Sequence, residues 1–437
     1  MLARFIYCLS HSLQLYNLSA DSDFHQKYNP PCLIFLHPVQ GGMQKVATHN
    51  APAQAKPHLF GLSLTALQAQ LKTLGLPAFR AKQVFDWVYK KGVWDWAQMT
   101  NLSAADRATL AQHLDVSPLG IKVEQIAQDG TTKWLFTLAD GHEVETVFIP
   151  EATRGTLCIS SQVGCTLNCR FCHTGTQALA RNLTAAEILA QVMMARRQLN
   201  DWPAQDEGRK LTNIVLMGMG EPLFNYDNVR DAIQLAMDPA GLGYGTRKIT
   251  LSTSGVVPEI ARVGADLGIQ LAISLHAPDD ETRTKIMPIN NKWPVRELMA
   301  ALRAYPLKEH RRITFEYVML KDVNDTDAHA DALIKLVQGL PCKFNLIPFN
   351  PWPGAPFACS DEARIEAFAA RLSAAGLDAP VRKTRGEDIL AACGQLRSES
   401  SGRNTVSLEF PSVVRVYGTA DQRARLGEKV SVTFVED

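Results

Sequence analysis

From Leu59 onward, apolar positions recur with a helical period. Leu64, Leu67, Leu71 and Leu74 fall three or four residues apart, and Gly75 followed by Pro77 ends that helix. The next stretch, AFRAKQVFDWVYKKGVWDW, interleaves Phe79, Phe85, Trp87, Tyr89, Trp94 and Trp96 with Arg80, Lys82, Lys90 and Lys91. Residues 121–149 switch to a period of two, with Asp-Gly turns between alternating runs, which predicts a β meander. From Thr156 to about Cys393, apolar strand runs alternate with helical patterns. The strand runs are TLCISSQ, NIVLMGM, KITLSTS, QLAISLH, ITFEYVML and KFNLIPFN. One helix begins at TAAEIL, where Thr184 and Glu187 form a capping box and Ile188, Val192, Ala195 and Leu199 line one face. Six strands with intervening helices specify an α/β fold with a parallel sheet. Six units are too few for a closed eight-stranded barrel.

These changes of period divide the chain. Residues 1–42 show no sustained period and no signal-peptide layout, and read as a disordered extension or an upstream start with the working start at Met43. Residues 59–117 form a helical accessory domain. Its mix of aromatics and cations suits RNA, because unstacked bases lie on aromatic faces while cations neutralise phosphates. The same aromatics also suit the core of a small helical domain. Residues 121–150 are the meander, leading as a linker into a core at 151–396. Residues 397–437 are an extension with a strand-like end, KVSVTFVE.

Composition adds two constraints. Lys plus Arg number 45 against 44 Asp plus Glu, so a nucleic acid would be held by local patches and not by overall charge. Lys90-Lys91, Arg311-Arg312 and Arg382-Lys383-Arg385 are such patches, or solvated faces. No apolar run approaches the roughly 18–20 residues of a membrane span.

Cys165, Cys169 and Cys172 follow C-x3-C-x2-C, a crowding of three among nine cysteines in 437 residues. Thiolates this close on one loop suit a single soft metal centre. Three on an iron–sulfur cube would leave one iron without a protein ligand, and an open metal position can take a substrate. With Cys158 as a fourth ligand the site could instead hold zinc, although zinc ribbons use paired C-x2-C knuckles well apart and no second knuckle occurs here. Thiolates on an oxygen-sensitive cluster imply a reducing compartment, hence the cytoplasm. Polar groups also fall at strand ends. Gly218-Met219-Gly220-Glu221-Pro222 follows the second strand run, and glycines there let a ligand approach the backbone. Ser252, Ser274-Leu275-His276 and Asn350 end later strands, one polar group per strand end, as a ligand cup requires.

C-x3-C-x2-C with Phe171 before the third cysteine resembles the signature of radical S-adenosylmethionine (SAM) enzymes. That resemblance implies an open six-unit (β/α) partial barrel, a [4Fe-4S] cluster on Cys165, Cys169 and Cys172, and exchangeable SAM on the fourth iron. It also implies SAM contacts from Gly220, Glu221, Ser252, Ser274, Leu275, His276 and Asn350. Together with Cys158, LSTSG, SLHAP, NLIPFNP and the late ACGQL around Cys393, the chain resembles one family closely, the dual-specificity ribosomal/transfer RNA adenine-C2 methyltransferases. The match runs from roughly Leu59 to Leu396. Two departures are His173, where a small residue is common, and the tail after Leu396.

The resemblance implies the catalytic residues. Cys393 corresponds to the methyl-carrying cysteine, Cys158 to its disulfide partner, and Glu145 in VETVFIP to the proton acceptor. It implies two SAM per turnover, a monomer, an electron donor such as flavodoxin, and adenine 2503 of 23S rRNA and adenine 37 of tRNA as targets. Two other readings stay open at this point: methylation of adenine C8 by the same machinery, and a non-catalytic, zinc-stabilised RNA-binding protein.

Overall fold

A computed structural model describes residues 56–202, 208–397, 413–417 and 432–435. The expectations for residues 1–42 lie outside the described residues.

The helical pattern after Leu59 becomes helices α1 (Leu64–Thr73), α2 (Phe79–Phe85) and α3 (Ala104–His113). Ser63 and Ser103 cap α1 and α3 by accepting from the N–H groups of Ala66 and Asp106. The aromatics divide by burial. Phe85, Tyr89 and Trp94 fill the core, whereas Phe79 is 59% exposed and Trp87 is half-buried beneath the Lys91 ammonium, 3.6 Å from its ring centroid.

The meander forms strands β1 (Gly120–Ile126), β2 (Thr132–Thr137) and β3 (Glu143–Pro150). Gly130 and Gly141 take positive φ in its two turns, where Asp129 and Asp140 accept from the Thr131 and His142 N–H groups. The meander is more than a linker. β3 pairs antiparallel with β4 (Gly155–Cys158), with Val147 opposite Cys158, so the meander continues the main sheet.

A small ribbon, β5 (Gln162–Val163) with β6 (Arg181–Asn182), brackets the cysteine loop. Helix α4 (Ala185–Gln198) carries the expected capping box between Thr184 and Glu187. β7 (Asn213–Leu216) and α5 (Tyr226–Met237) follow. Next come β8 (Ile249–Thr253), α6 (Val257–Arg262), β9 (Gln270–Ser274), α7 (Asp280–Ile286) and α8 (Val295–Arg303). The core ends with β10 (Ile313–Met319), α9 (Asp327–Leu336), β11 (Cys342–Pro348) and α10 (Glu362–Ala374).

β4, β7, β8, β9, β10 and β11 pair in parallel in that order, matching the six strand runs read from the sequence. Each crossover steps to the next neighbour, as in a barrel. β4 pairs outward with β3 and not with β11, so the parallel part stays open. The tail adds β12 (Val413–Tyr417) antiparallel to β1, then β13 (Val432–Val435), which completes an eleven-stranded sheet. Arg415 of β12 donates to Glu124 on β1 at 2.6 Å. The core is one continuous cluster from the N-terminal helices through the parallel strands. Among the described residues no helix is long and apolar enough to cross a membrane.

Candidate active site at the strand ends

The carboxyl ends of the parallel strands surround one cavity. Cys165, Cys169 and Cys172 reach it from the loop between β5 and β6. That loop is wound tightly: a Cβ on Gly175 would stand 2.5 Å from the Cys169 carbonyl oxygen. Gly220 and Glu221 enter after β7, Ser252 from β8, Ser274 and His276 from the end of β9, and Cys393 from the late segment.

Cys165 and Cys169 are buried, and Cys172 is half-buried beside them. Burial pushes Cys165 up to about 12, with Cys172 and Glu221 adding to it; it pushes Cys169 well above the usual thiol range, and Cys172 in the same direction. A cluster binding there must displace their protons. Among the described residues, no three His, Cys, Asp or Glu side chains are grouped to hold a single metal ion. Three soft donors on one cavity wall, close enough to act on one another, suit the corners of an iron–sulfur cube.

Glu221 is 2% exposed and accepts from the N–H groups of Leu223 (3.1 Å) and Ser254 (2.8 Å). Burial still raises its carboxyl above the usual range, so an ammonium brought into the cavity would stabilise its charged form. The glycines beside it serve a purpose the sequence did not reveal. A Cβ on Gly218 would lie 2.7 Å from the Ile159 carbonyl oxygen, and one on Gly220, at φ +96°, would lie 2.5 Å from Gln162 Cβ. They are small because the loop packs on the β4–β5 segment of its own chain.

His276 also holds positive φ (+59°), an uncommon state for a residue with a side chain. Its Nδ1 accepts from the Val318 N–H at 3.0 Å, which leaves Nε2 to carry the proton, and burial lowers its pKa to about 3. It is therefore a neutral donor, packed edge-on against Phe171.

Two expected cofactor contacts are placed differently. The Leu275 side chain is fully buried in the core, and its carbonyl accepts from Arg283. Asn350 donates to the Cys393 carbonyl at 3.2 Å and accepts from Thr384, so it holds the Cys393 segment. Cys158 closes β4, where burial, reinforced by Cys393, raises its thiol to about 12. Cys393 itself is exposed. Glu145 lies on β3, 5% exposed, between the Lys133 ammonium (3.0 Å) and the Arg397 N–H (2.6 Å).

His173 clasps the Cys393 segment. Its N–H donates to the Gly394 carbonyl, its ring lies 3.2 Å from the Gln395 carbonyl oxygen and 3.1 Å from Arg397 Nη1, and it stacks on Trp352.

Arg283 went unread in the sequence. Only 1% exposed, it donates to the carbonyls of Ser254, Ser274 and Leu275 and to Asn290 Oδ1, tying the ends of β8 and β9 together. Within DETRTKI it looks like any surface cation. Lys133 was open to inference, because in the predicted hairpin it stands diagonally across from Glu145. The basic patches are largely engaged: Lys90 donates to the Pro239 carbonyl, Arg311 to Thr246, and Arg312 and Arg385 face Asp378 and Asp129.

Known proteins share this arrangement. Residues 159–333 match the radical SAM superfamily, and residues 58–116 match the ribosomal RNA large subunit methyltransferase N-terminal domain. A Rhodospirillum rubrum protein named dual-specificity RNA methyltransferase RlmN is 59% identical over 369 residues, covering 84% of this chain and 86% of its own. The chain belongs to the RlmN family of radical SAM RNA methyltransferases. The RlmN of a Jannaschia strain is 56% identical, covering 78% of this chain and 90% of its own. A solved radical SAM methyltransferase from Sphaerobacter thermophilus, 45% identical, superposes with a TM-score of 0.74 over 78% of this chain and 99% of that one.

Proposed function

We propose that this enzyme methylates C2 of adenine in 23S rRNA (adenine 2503) and in tRNA (adenine 37), with Cys393 as a covalent methyl carrier. The observation that carries the reading is the position of Cys393, on the wall of the same cavity as Cys165, Cys169 and Cys172 and within electrostatic reach of Cys158. Relatives named for dual-specificity RNA methylation support the substrate class.

Cys165, Cys169 and Cys172 would hold a [4Fe-4S] cluster and leave one iron for SAM, with Gly220, Glu221, Ser252, Ser274 and His276 around it. When bound, cluster and SAM supply a methyl group and a 5′-deoxyadenosyl radical, at two SAM per turnover. Adenine C2 lies between two ring nitrogens and is electron-poor, so it does not attack a methyl donor itself. The Cys393 thiol takes the methyl first, which divides one hard step into two. After losing a hydrogen atom, the S-methyl carbon adds to C2. Glu145 then accepts the C2 proton, and the adduct's unpaired electron must leave with it, to the cluster if that is what is bound there. Cys158 attacks the Cys393 sulfur, freeing the methylated base and leaving a disulfide to be reduced. Glu145 is held by Lys133 and the Arg397 N–H, so its use as a base requires the Arg397 N–H to release Oε2. We further infer a monomer working in the cytoplasm with an electron donor such as flavodoxin.

Denaturing gels after incubation with SAM, reductant and RNA test this reading. Cys393→Ala should take up no methyl group and form no adduct. Cys158→Ala should methylate Cys393 and then accumulate RNA-linked protein. A Cys158 variant with an intact cluster and no RNA-linked species refutes the two-cysteine scheme. Mass mapping of the modified adenine separates C2 from C8.

A further inference from the structure

Beside the cavity, one cation faces the methyl-carrying sulfur. Arg382 follows α10 on a segment that runs beside β11, its backbone fixed by an N–H bond to the Leu346 carbonyl at 2.7 Å. Its guanidinium Nη1 donates to Cys393 Sγ at 3.8 Å and stands 3.8 Å from Glu316 Oε2. Glu316, on β10, is 3% exposed, lines the cavity and accepts from the Asn345 amide at 2.8 Å. That bond and the strand beneath it give the carboxylate a fixed position. Arg382 is thus held by its backbone on one side and by a buried anion on the other, with its head on Cys393. The sequence placed it in a basic run that suited phosphates, but its head turns inward.

We propose that Arg382 is the counter-cation of the Cys393 sulfur in the step that loads the methyl group. The inference rests on the reading of Cys393 as the methyl carrier. In that step the thiol gives up its proton to solvent, which reaches the exposed Cys393, and the sulfur supplies an electron pair. A carbon–sulfur bond forms on Cys393 as the donor's methyl–sulfonium bond breaks, and that bond's pair stays with the departing thioether. The nucleophile is negative, and a fixed guanidinium beside it stabilises that charge without reorganising. Burial works against the charge on Arg382, yet the Cys393 sulfur, Glu316 and, more weakly, Cys158 and Glu151 together favour it.

The test uses the full-length, cluster-reconstituted protein without SAM. A neutral electrophile, iodoacetamide, is applied near neutral pH, and alkylation of Cys393 is followed by peptide mass mapping. The half-buried Cys359 serves as an internal control. Arg382→Met should slow Cys393 alkylation about tenfold, the scale of one partly screened charge at this distance, while Cys359 reacts as before. Arg382→Lys, which keeps the charge, should recover most of the rate. The proposal is overturned if Arg382→Met reacts within about twofold of wild type, if Arg382→Lys is as slow as Arg382→Met, or if Cys359 slows in parallel. The two readings fail separately. A Cys393 that never acquires methyl from SAM sinks the carrier scheme, whereas a methylated Cys393 whose alkylation ignores Arg382→Met sinks only the present inference.

Discussion

Arg283→Met should loosen the cofactor wall and the fold together. The guanidinium serves three carbonyls and one amide oxygen, at 2.7–3.2 Å, in a place almost wholly shut off from water. Methionine fills similar space but donates nothing. Each acceptor left without a partner costs roughly 1–3 kcal/mol, while removing the buried charge returns part of its desolvation penalty. Breaking such a buried charged network typically nets about 3–5 kcal/mol, and that is the loss expected here. Urea unfolding of the variant and wild type, without cofactor, measures it. Because Ser254 and Ser274 flank the cavity, SAM binding to the reconstituted variant should also weaken by at least about tenfold in titration calorimetry. A stability loss below about 1 kcal/mol, with unchanged SAM affinity, refutes the view that Arg283 braces the ends of β8 and β9.

Other outcomes are equally accessible. Cys165→Ala, Cys169→Ala or Cys172→Ala should each abolish the broad absorption near 400 nm and the bound iron after reconstitution, and normal cluster content in any one of them counts against the ligand set. Gly220→Val meets both a positive φ and Gln162 Cβ at 2.5 Å, so it should lower stability by about 2–4 kcal/mol in denaturant melts. A neutral result there would show that the loop yields. Because burial holds the Cys158 thiol at about 12 and only the thiolate attacks, release of the RNA adduct in single turnover should quicken with each pH unit above neutrality; a flat profile removes Cys158 as the attacking group. His173→Ala should leave the cluster in place but raise hydrogen exchange across residues 393–397, and unchanged protection there means that Asn350 and Trp352 suffice to hold the segment.

The six parallel strands were legible because each is an apolar run bounded by turn residues and separated by a helix-length pattern. The meander was legible because Asp-Gly turns are among the strongest local signals a sequence carries. Its union with the parallel strands was not, since nothing within 121–150 states which strand will lie beside β3. The cysteine loop announced itself through spacing, and Cys393 only through resemblance. Arg283 carries no local mark at all, Arg382 reads only as part of a basic run, and His173 only as a departure from the family pattern. Each acts on partners outside its own element, and a side chain that hydrogen-bonds such groups reads like one that points to water. Leu275 and Asn350 end strands as expected, yet the first side chain is buried in the core and the second donates to the Cys393 carbonyl, neither of which a strand-end position states.

The junction between the two halves of the sheet bears on how the chain folds. β3 and β4 are joined by residues 151–154 alone, whereas β4 reaches its parallel neighbour β7 only after the chain has run from Cys158 to Asn213. Short loops close at less entropic cost, and non-local pairings form late. The alignment of Glu145 opposite Leu135, and of Cys158 opposite Val147, is therefore set by nearest-neighbour hairpins that do not wait for the crossovers. Amide protection during refolding should appear at Val147 before it appears in β8–β10. One residue inserted within 151–154 would turn Cys158 to the opposite face while leaving Glu145 where it is, so the spacing of the two groups proposed to finish the reaction is written into a four-residue turn.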